Sequence, residues 1–286
     1  AGGQIAKFLD EAPFNTGEAT VDTIDTIDTI DTIEGTFTFS SDQPVAAVAL
    51  RGLTNERSDF LMTTLPVSPV GADAGDRVYF PHFAEGAVWT TEVILVNPSD
   101  ETIAGTVQFF EPGSGSVAAQ PVTLTINGQS ASTFGYSIPG RSSRKLRTGG
   151  TGTTTQVGSV RVTPSANAQK PSGLSVISFR SGAVTVAEAG VPAATTGQAF
   201  RLYAQATGAD AGSIQTGIAI TNPSSSNAGV TFELLTPGGG SVPGLSGSIS
   251  LTGNGQTALF LNQIPGLESL TIPFEGVLRI STDAID

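Results

Sequence analysis

Short runs of alternating apolar and polar residues cover much of the chain and predict β-strands. The clearest run begins at Gly35, and the same alternation follows Gly158 and Gly276. Because successive side chains of a strand point to opposite faces, each run has one apolar face. Its apolar residues are Phe37 and Phe39 in the first run, Val160 and Val162 in the second, and Leu278 and Ile280 in the third. The repetition predicts three copies of one strand.

A complete series of such runs is predicted between residues 77 and 193. Its expected strands fall at 77–80, 89–97, 103–110, 121–126, 131–138, 158–163, 174–180 and 183–187. The sequences Asn97-Pro98 and Asn127-Gly128 stand between strands and favour turns. Eight short strands with turn signals at this spacing are typical of an immunoglobulin-like sandwich or a related Greek-key fold.

Two short sequences recur at nearly constant spacing and indicate an internal repeat. Gln4, Gln129 and Gln256 each follow a glycine and lie 125 and 127 positions apart. Asn97-Pro98-Ser99 returns 125 positions later as residues 222–224. We therefore expect residues 1–66 to form the back half of a repeat, 77–193 a complete sandwich, and 199–286 a sandwich that lacks its last two strands.

Composition agrees with this fold class. The 286 residues include 35 Gly and 17 Pro, and few stretches have the Lys and Glu content of a surface helix. Such a chain is expected to form short strands and tight turns. The sequence predicts an all-β fold of tandem immunoglobulin-like antiparallel β-sandwiches with incomplete terminal copies.

The incomplete last copy needs a cover, because an unpaired sheet edge recruits other chains. Counterparts of its missing strands are predicted at residues 45–51 and 59–63. The chain is then a window on a longer tandem array, or these strands fold back onto the last copy, or they complete the last copy of the next subunit. An array or polymer is preferred, because a fold-back would duplicate the strands at Gly35 and Gly276. The candidate intersubunit strands carry Phe37, Phe39, Val45, Val48, Leu50 and Phe60, and the candidate acceptor edge carries Leu278 and Ile280.

Charge and cysteine content exclude several functions. A net charge of −12 repels the phosphate backbone and argues against nucleic-acid binding. With no cysteine, the chain has no disulfides, thiolate metal sites or cysteine nucleophile. It contains no run of about 18 apolar residues, so no membrane span is expected.

Two segments of opposite charge suggest an electrostatic contact. Residues 21–34 repeat Thr-Ile-Asp with a period of three, which fits neither a strand nor an α-helix, and an acidic surface insertion is the preferred interpretation. Residues 141–147 hold four of the 13 basic residues and are expected to form a solvated loop. The alternative hypothesis is that the two segments meet between subunits or domains. That contact would join Asp22, Asp25, Asp28, Asp31 and Glu34 to Arg141, Arg144, Lys145 and Arg147.

Candidate chemistry is sparse, and we expect no enzyme activity and no cofactor. His82 is the single histidine, and no carboxylates stand near it at a zinc-binding spacing. Ser99 and Ser137 lack the Gly-x-Ser-x-Gly elbow of a hydrolase. The aspartate tract lacks the glycine turn of a calcium loop. Trp89 opens an apolar strand, so packing is preferred to sugar stacking.

Several motifs resemble a tandem β-sandwich repeat of large secreted proteins from environmental bacteria. They are residues 80–84 (FPHFA), 89–91 (WTT), 96–99 (VNPS), 187–192 (AEAGVP) and 55–61 (NERSDFL). The resemblance covers nearly all of the chain except the Thr-Ile-Asp tract. It implies an extracellular or cell-surface location and assigns no functional residue.

These observations predict an extracellular structural protein that assembles end to end into a surface fibre or stalk. Its expected partners are copies of itself, joined head to tail by strand complementation or as a covalent array. The alternative is a carbohydrate-binding or adhesive module of a multidomain secreted protein, which would make surface carbohydrate a further partner. Three Tyr and one Trp offer little for an aromatic sugar platform.

Overall fold

A computed structural model describes residues 5–8, 11, 35–71 and 77–282 of the chain. The chain divides into two compact units, Ala1–Gly35 and Thr36–Asp286. In the first unit, the Phe8 amide donates a hydrogen bond of 2.8 Å to the Glu11 carboxylate. The acidic residues of the Thr-Ile-Asp tract lie outside the described residues. The described strands all belong to the second unit and pair in antiparallel fashion.

The second unit begins with a hairpin of strands β1 (Ala49–Thr54) and β2 (Phe60–Leu65). The strand predicted after Gly35 is not present, because residues 35–48 contain no strand. Phe37 and Phe39 are 45% and 50% exposed. Alternation alone did not suffice here, because a strand also needs the backbone of a neighbouring strand to pair with.

The middle module, residues 77–194, contains ten strands. They are β3 (Val78–Glu85), β4 (Trp89–Val96), β5 (Ile103–Phe110), β6 (Leu124–Ile126), β7 (Gln129–Ala131), β8 (Thr133–Ile138), β9 (Ser143–Arg147), β10 (Gln156–Pro164), β11 (Ser172–Ser181) and β12 (Val184–Pro192). The first sheet has the order β3-β10-β5-β8, the second β12-β11-β4-β9, and β6 and β7 form a separate hairpin.

One apolar core lies between these two sheets. Phe80 and Phe109 of the first sheet and Leu95 of the second are fully buried in it. The Phe109 ring meets Phe83 and Phe134 edge to face, with centroids 5.2 and 6.2 Å apart. Burial of such large side chains supplies most of the driving force for folding.

The C-terminal module, residues 199–282, contains six strands and one 3-10 turn (Leu261–Gln263). The strands are β13 (Ala199–Ala206), β14 (Gly217–Thr221), β15 (Ala228–Leu235), β16 (Ser241–Leu251), β17 (Gln256–Phe260) and β18 (Phe274–Thr282). Its first sheet has the order β13-β18-β15-β16, and β14 pairs with β17. A second apolar core, containing Phe232, Leu234 and Leu278, fills this module. The described residues are therefore all-β, with several antiparallel sheets.

The first sheet has the same arrangement of four strands in both modules, whereas the second sheet differs between them. In the middle module β4 lies between β9 and β11, whereas its counterpart β14 pairs within the described residues only with β17. Counterparts of β11 and β12 are not found in the described part of the C-terminal module. On the side of β14 away from β17 no described strand is paired, and β14 contacts β3 of the middle module.

The predicted acceptor edge at Leu278 and Ile280 is wrong. Both residues lie in β18, which pairs with β13 on one side and β15 on the other. Their side chains are 0% and 7% exposed, inside the core. An apolar alternating strand can be central or at an edge, because one-sided burial does not depend on the order of the sheet.

Gln129 and Gln256, which recur in the sequence, do not occupy equivalent positions in the two modules. Gln129 opens β7, in the separate hairpin with β6, whereas Gln256 opens β17 and pairs with Thr221 of β14. The middle-module residue that corresponds to Gln256 by strand pairing is Ser143, which lies opposite Val96. The middle module inserts the β6–β7 hairpin, which shifts the spacing.

Candidate assembly surfaces

Each module has a turn built around a buried asparagine, which we call the asparagine turn: residues 97–100 with 140–142, and residues 222–225 with 253–255. The Asn97 amide nitrogen donates to three carbonyls, those of Glu101, Ile138 and Pro139, at 2.7 to 3.0 Å. Asn222 donates in the same way to the carbonyls of Ser226, Leu251 and Thr252. The asparagines are 1% and 5% exposed, so these bonds satisfy groups that water cannot reach.

The asparagine turn of the C-terminal module packs against the middle module. The Gln256 backbone amide donates to the Pro112 carbonyl at 2.9 Å, and the Ala119 backbone amide donates to the Gly253 carbonyl at 2.9 Å. The Arg161 guanidinium donates to the Asn254 side-chain oxygen. These bonds come from both directions and include backbone groups, as in a defined interface. We call this contact the module interface.

Arg161 lies at the centre of the outer face of the first sheet, which is the side away from the core. Its guanidinium stands 4.5 Å from the centroid of the Phe110 ring and 5.8 Å from that of Tyr79. These rings favour a cation over their faces. Partial burial lowers the pKa of Arg161, which remains a cation at neutral pH. The guanidinium and the two rings together form the surface that binds the neutral Asn254 amide.

His82 lies at the same interface. The His82 Nδ1 atom is 3.3 Å from Nε2 of the Gln256 side-chain amide. Burial lowers the pKa of His82, so the neutral imidazole that can accept a hydrogen bond is favoured. The sequence interpretation had assigned His82 a packing role, and its contact with Gln256 adds a link between modules.

No described module covers the corresponding face of the C-terminal module. Arg279 of β18 holds the position that Arg161 holds in β10. Arg279 pairs with Glu233 of β15, just as Arg161 pairs with Gln108 of β5. The Arg279 guanidinium lies 3.2 Å from the Glu233 carboxylate, and their side chains are 42% and 33% exposed. Tyr203 on this face is 58% exposed.

The N-terminal hairpin packs on β12 of the middle module. Arg51 forms an ion pair of 2.6 Å with Glu188, whose side chain is only 5% exposed. Asn55 donates to the Thr185 carbonyl at 2.8 Å. The Thr185 amide in turn donates to the Glu56 carboxylate at 2.8 Å and lowers the pKa of Glu56. A fold-back of this hairpin onto the C-terminal module does not occur.

The other face of the hairpin is apolar and exposed. Its exposed residues are Leu50 (52%), Phe60 (55%) and Met62 (55%), and Val45 and Val48 on the preceding segment are 61% and 74% exposed. Exposed apolar side chains in one segment mark a surface that other chains can cover. The intersubunit role predicted for Phe37, Phe39, Val45, Val48, Leu50 and Phe60 remains a prediction.

The basic segment is a strand and a turn rather than a loop. Residues 143–147 form β9, the edge strand beside β4, with Leu146 buried. Arg141 lies 2.6 Å from Asp100 and Arg147 lies 3.5 Å from Glu92. Charged side chains on an edge strand discourage pairing with other sheets. The acidic tract lies outside the described residues, so its predicted contact with Arg144 and Lys145 stays a prediction.

Trp89 takes part in a packing contact of the middle module. The Trp89 ring packs against Phe179, its neighbour across β4 and β11, with the ring centroids 4.8 Å apart and the ring planes tilted by 48°. Among the described residues, no three His, Asp or Glu side chains lie close enough together to hold a metal ion. No described helix has the length and apolarity needed to cross a bilayer.

Sequence reasoning missed Arg161, Asn254 and Gln256 as interface residues. The repeated Asn-Pro-Ser sequence was the signal that could have pointed to the turn. A contact between residues 161 and 254 leaves no local pattern, because the two belong to different modules. In comparisons with known proteins, no protein family matches this chain and no curated protein has a similar sequence.

Proposed function

We propose that this chain is an extracellular or cell-surface structural protein whose immunoglobulin-like sandwiches stack end to end into a fibre or stalk. The observation that carries this proposal is the module interface. It joins one module to the next through the Arg161–Asn254 hydrogen bond and two backbone hydrogen bonds. A contact that joins unlike surfaces of similar units can be repeated along an axis.

The side of β14 away from β17 supports the same function. β14 lacks the two further strands that extend the matching sheet of the middle module. The hairpin β1–β2 has the register of β11–β12, since Leu50 pairs with Thr64 as Val176 pairs with Gly190. A following unit, either covalent or from a neighbouring copy, supplies such a strand pair. The hairpin of a neighbour is one donor, and β14 rather than β18 is its acceptor.

The packing of Trp89 gives less support to a carbohydrate-binding module. An aromatic sugar platform needs exposed rings, whereas Trp89 is engaged with Phe179. A structural role requires only shape, surface bonds and stability, which the two cores supply. We therefore propose structural rather than catalytic or sugar-binding work.

Light scattering and negative-stain electron microscopy of the purified chain test this function. The expected result is a mass that rises with protein concentration, together with filaments of regular repeat. A monodisperse monomer at all concentrations, with no filaments, would contradict end-to-end assembly by separate copies. A pull-down on insoluble polysaccharides serves as the comparison for the sugar-binding alternative.

A further inference from the structure

The outer face of the first sheet occurs twice in this chain, once covered and once bare. In the middle module, the face around Arg161 holds the asparagine turn of the C-terminal module. In the C-terminal module, the same face carries Arg279 and Glu233 and is exposed. Gln108 and Glu233 hold equivalent places, because they pair with Arg161 and Arg279 respectively.

The asparagine turn also occurs twice. That of the C-terminal module docks on the middle module, whereas that of the middle module meets no described module and receives a hydrogen bond of 3.0 Å from the Gly71 backbone amide to the Pro98 carbonyl. The Asn254 amide donates to the Ser224 carbonyl at 2.8 Å, and the Arg141 amide donates to the Ser99 carbonyl at the same distance. Both residues have a left-handed backbone, with φ of 57° and 62°. Arg141 therefore stands where Asn254 stands in the docked turn. Its side chain is 74% exposed and that of its partner Asp100 is 69% exposed.

The bare face and the free turn each carry charges of both signs. The face offers Glu233 beside Arg279 and Arg201, which pair opposite each other, and the turn offers Arg141 with Asp100. Docking the turn as in the module interface would bring Arg141 to the place above Arg279. Each arginine then has the carboxylate of the opposite surface within reach, and Glu233 and Asp100 offset the repulsion between the arginines.

We propose that the outer face of the C-terminal module binds the asparagine turn of the middle module in a second copy of this chain, with Glu233 facing Arg141. The inference rests on the proposed function and identifies the surface through which copies join. Because the two surfaces differ and lie on different modules, the contact is head to tail and propagates. The module interface, built on Arg161 and a neutral amide, supplies the template for this contact.

The contact depends on charge more than its template does. Two ion pairs at a rim are screened by salt, whereas the module interface has one charged group hydrogen-bonded to an amide. Raising the salt from about 0.05 M to about 0.5 M is expected to weaken self-association about tenfold or more. The pairing of the two modules within one chain should persist.

A charge-swap experiment tests the pairing of Glu233 with Arg141. Glu233→Arg places a cation opposite Arg141 of the next copy, and Arg141→Glu places a carboxylate opposite Glu233. Each variant alone is expected to associate about tenfold more weakly or worse, as measured by sedimentation velocity. An equimolar mixture should assemble again, because each variant presents the charge that the other lacks. The double variant in one chain should also assemble.

Controls separate this inference from misfolding and from the proposed function. Asp210→Arg reverses an exposed carboxylate on another loop of the C-terminal module and should leave association unchanged. Circular dichroism checks that each variant keeps its strands. Assembly that neither variant weakens would overturn this contact and leave end-to-end assembly to another surface. A wild-type chain that never self-associates would overturn this contact and would leave a covalent array as the one form of the proposed function.

Discussion

The Arg161 guanidinium reaches across the boundary between the two modules and donates a hydrogen bond to the side-chain oxygen of Asn254, 93 positions later in the chain. The same cation stands over the rings of Phe110 and Tyr79 on its own module. One residue thus links the outer face of a sheet to the turn of the following module. Its charge and planar shape suit both tasks.

Replacing Arg161 by alanine should destabilise the module interface by about 1.5–3 kcal/mol, the range for hydrogen bonds to a charged group. Denaturant unfolding of Arg161→Ala, Asn254→Ala and the double variant forms a double-mutant cycle. The expected coupling energy is about 1 kcal/mol or more. Arg57→Ala is the control, since Arg57 loses only an exposed ion pair with Asp59, worth about 1 kcal/mol at most. Additive effects of the two interface substitutions would contradict a direct contact.

Replacing Asn97 by aspartate should destabilise the middle module by about 3 kcal/mol. The change removes the amide that donates to three carbonyls and puts a carboxylate against them. Asn167→Asp, the same substitution at an exposed site, is the control and should change the free energy of unfolding little. If both variants unfold at the same denaturant concentration, the buried amide is not what holds this turn.

The stability of the module interface should fall as the pH drops below about 6.5. Burial lowers the pKa of His82 in the folded chain from its ordinary value of 6.5. Below that value the unfolded chain binds a proton that the folded chain does not, so the free energy of unfolding decreases with falling pH. Above it, both states carry neutral imidazole and His82 contributes no pH dependence.

The measurement compares unfolding of the wild type and His82→Gln from about pH 5 to pH 8. His82 is the single histidine, so the variant removes the chain's one group with an unperturbed pKa in the middle of this range. The difference between the two proteins should grow as the pH falls. Parallel curves would mean that His82 is as accessible to protons in the folded chain as in the unfolded one.

Gly190→Val should release the hairpin β1–β2 from the middle module. A Cβ at Gly190 would lie 2.7 Å from the Thr64 hydroxyl and 2.9 Å from the Thr63 hydroxyl, closer than real carbon contacts allow. Hydrogen exchange of residues 49–65 should speed up about tenfold or more, because local opening costs less. Ala189→Val introduces the same side chain at the neighbouring residue, which is exposed, and should leave exchange unchanged. Full protection of β1–β2 in Gly190→Val would show that the hairpin does not rest on this site.

Most strands could be predicted from alternation, because neighbouring residues of a half-buried strand face the core and the solvent in turn. Residues 103–110 were expected as a strand and form β5 with the same bounds. β9 was expected to be a loop, since Leu146 is its one buried apolar residue and its other side chains are polar or charged. The segment after Gly35 has the right pattern and no strand, because a strand also needs a neighbour to receive its hydrogen bonds.

The candidate surfaces were less predictable than the strands. Leu50 and Phe60 were correctly expected in a strand pair, but the face of that pair that packs on β12 depends on Arg51, Asn55 and Glu188 meeting across the fold. The acceptor edge was misplaced, because the position of β18 between β13 and β15 is a property of the sheet.

The sequence by itself determined the all-β class, most strand positions and the two asparagine turns, because alternation and turn chemistry act between residues that are close in the chain. Only the tertiary structure decided the order of strands in each sheet, the side of β14 that pairs with no described strand, and the seat of Asn254 on Arg161. These features join residues far apart in the chain, and their energies come from packing and hydrogen bonds that no local pattern encodes.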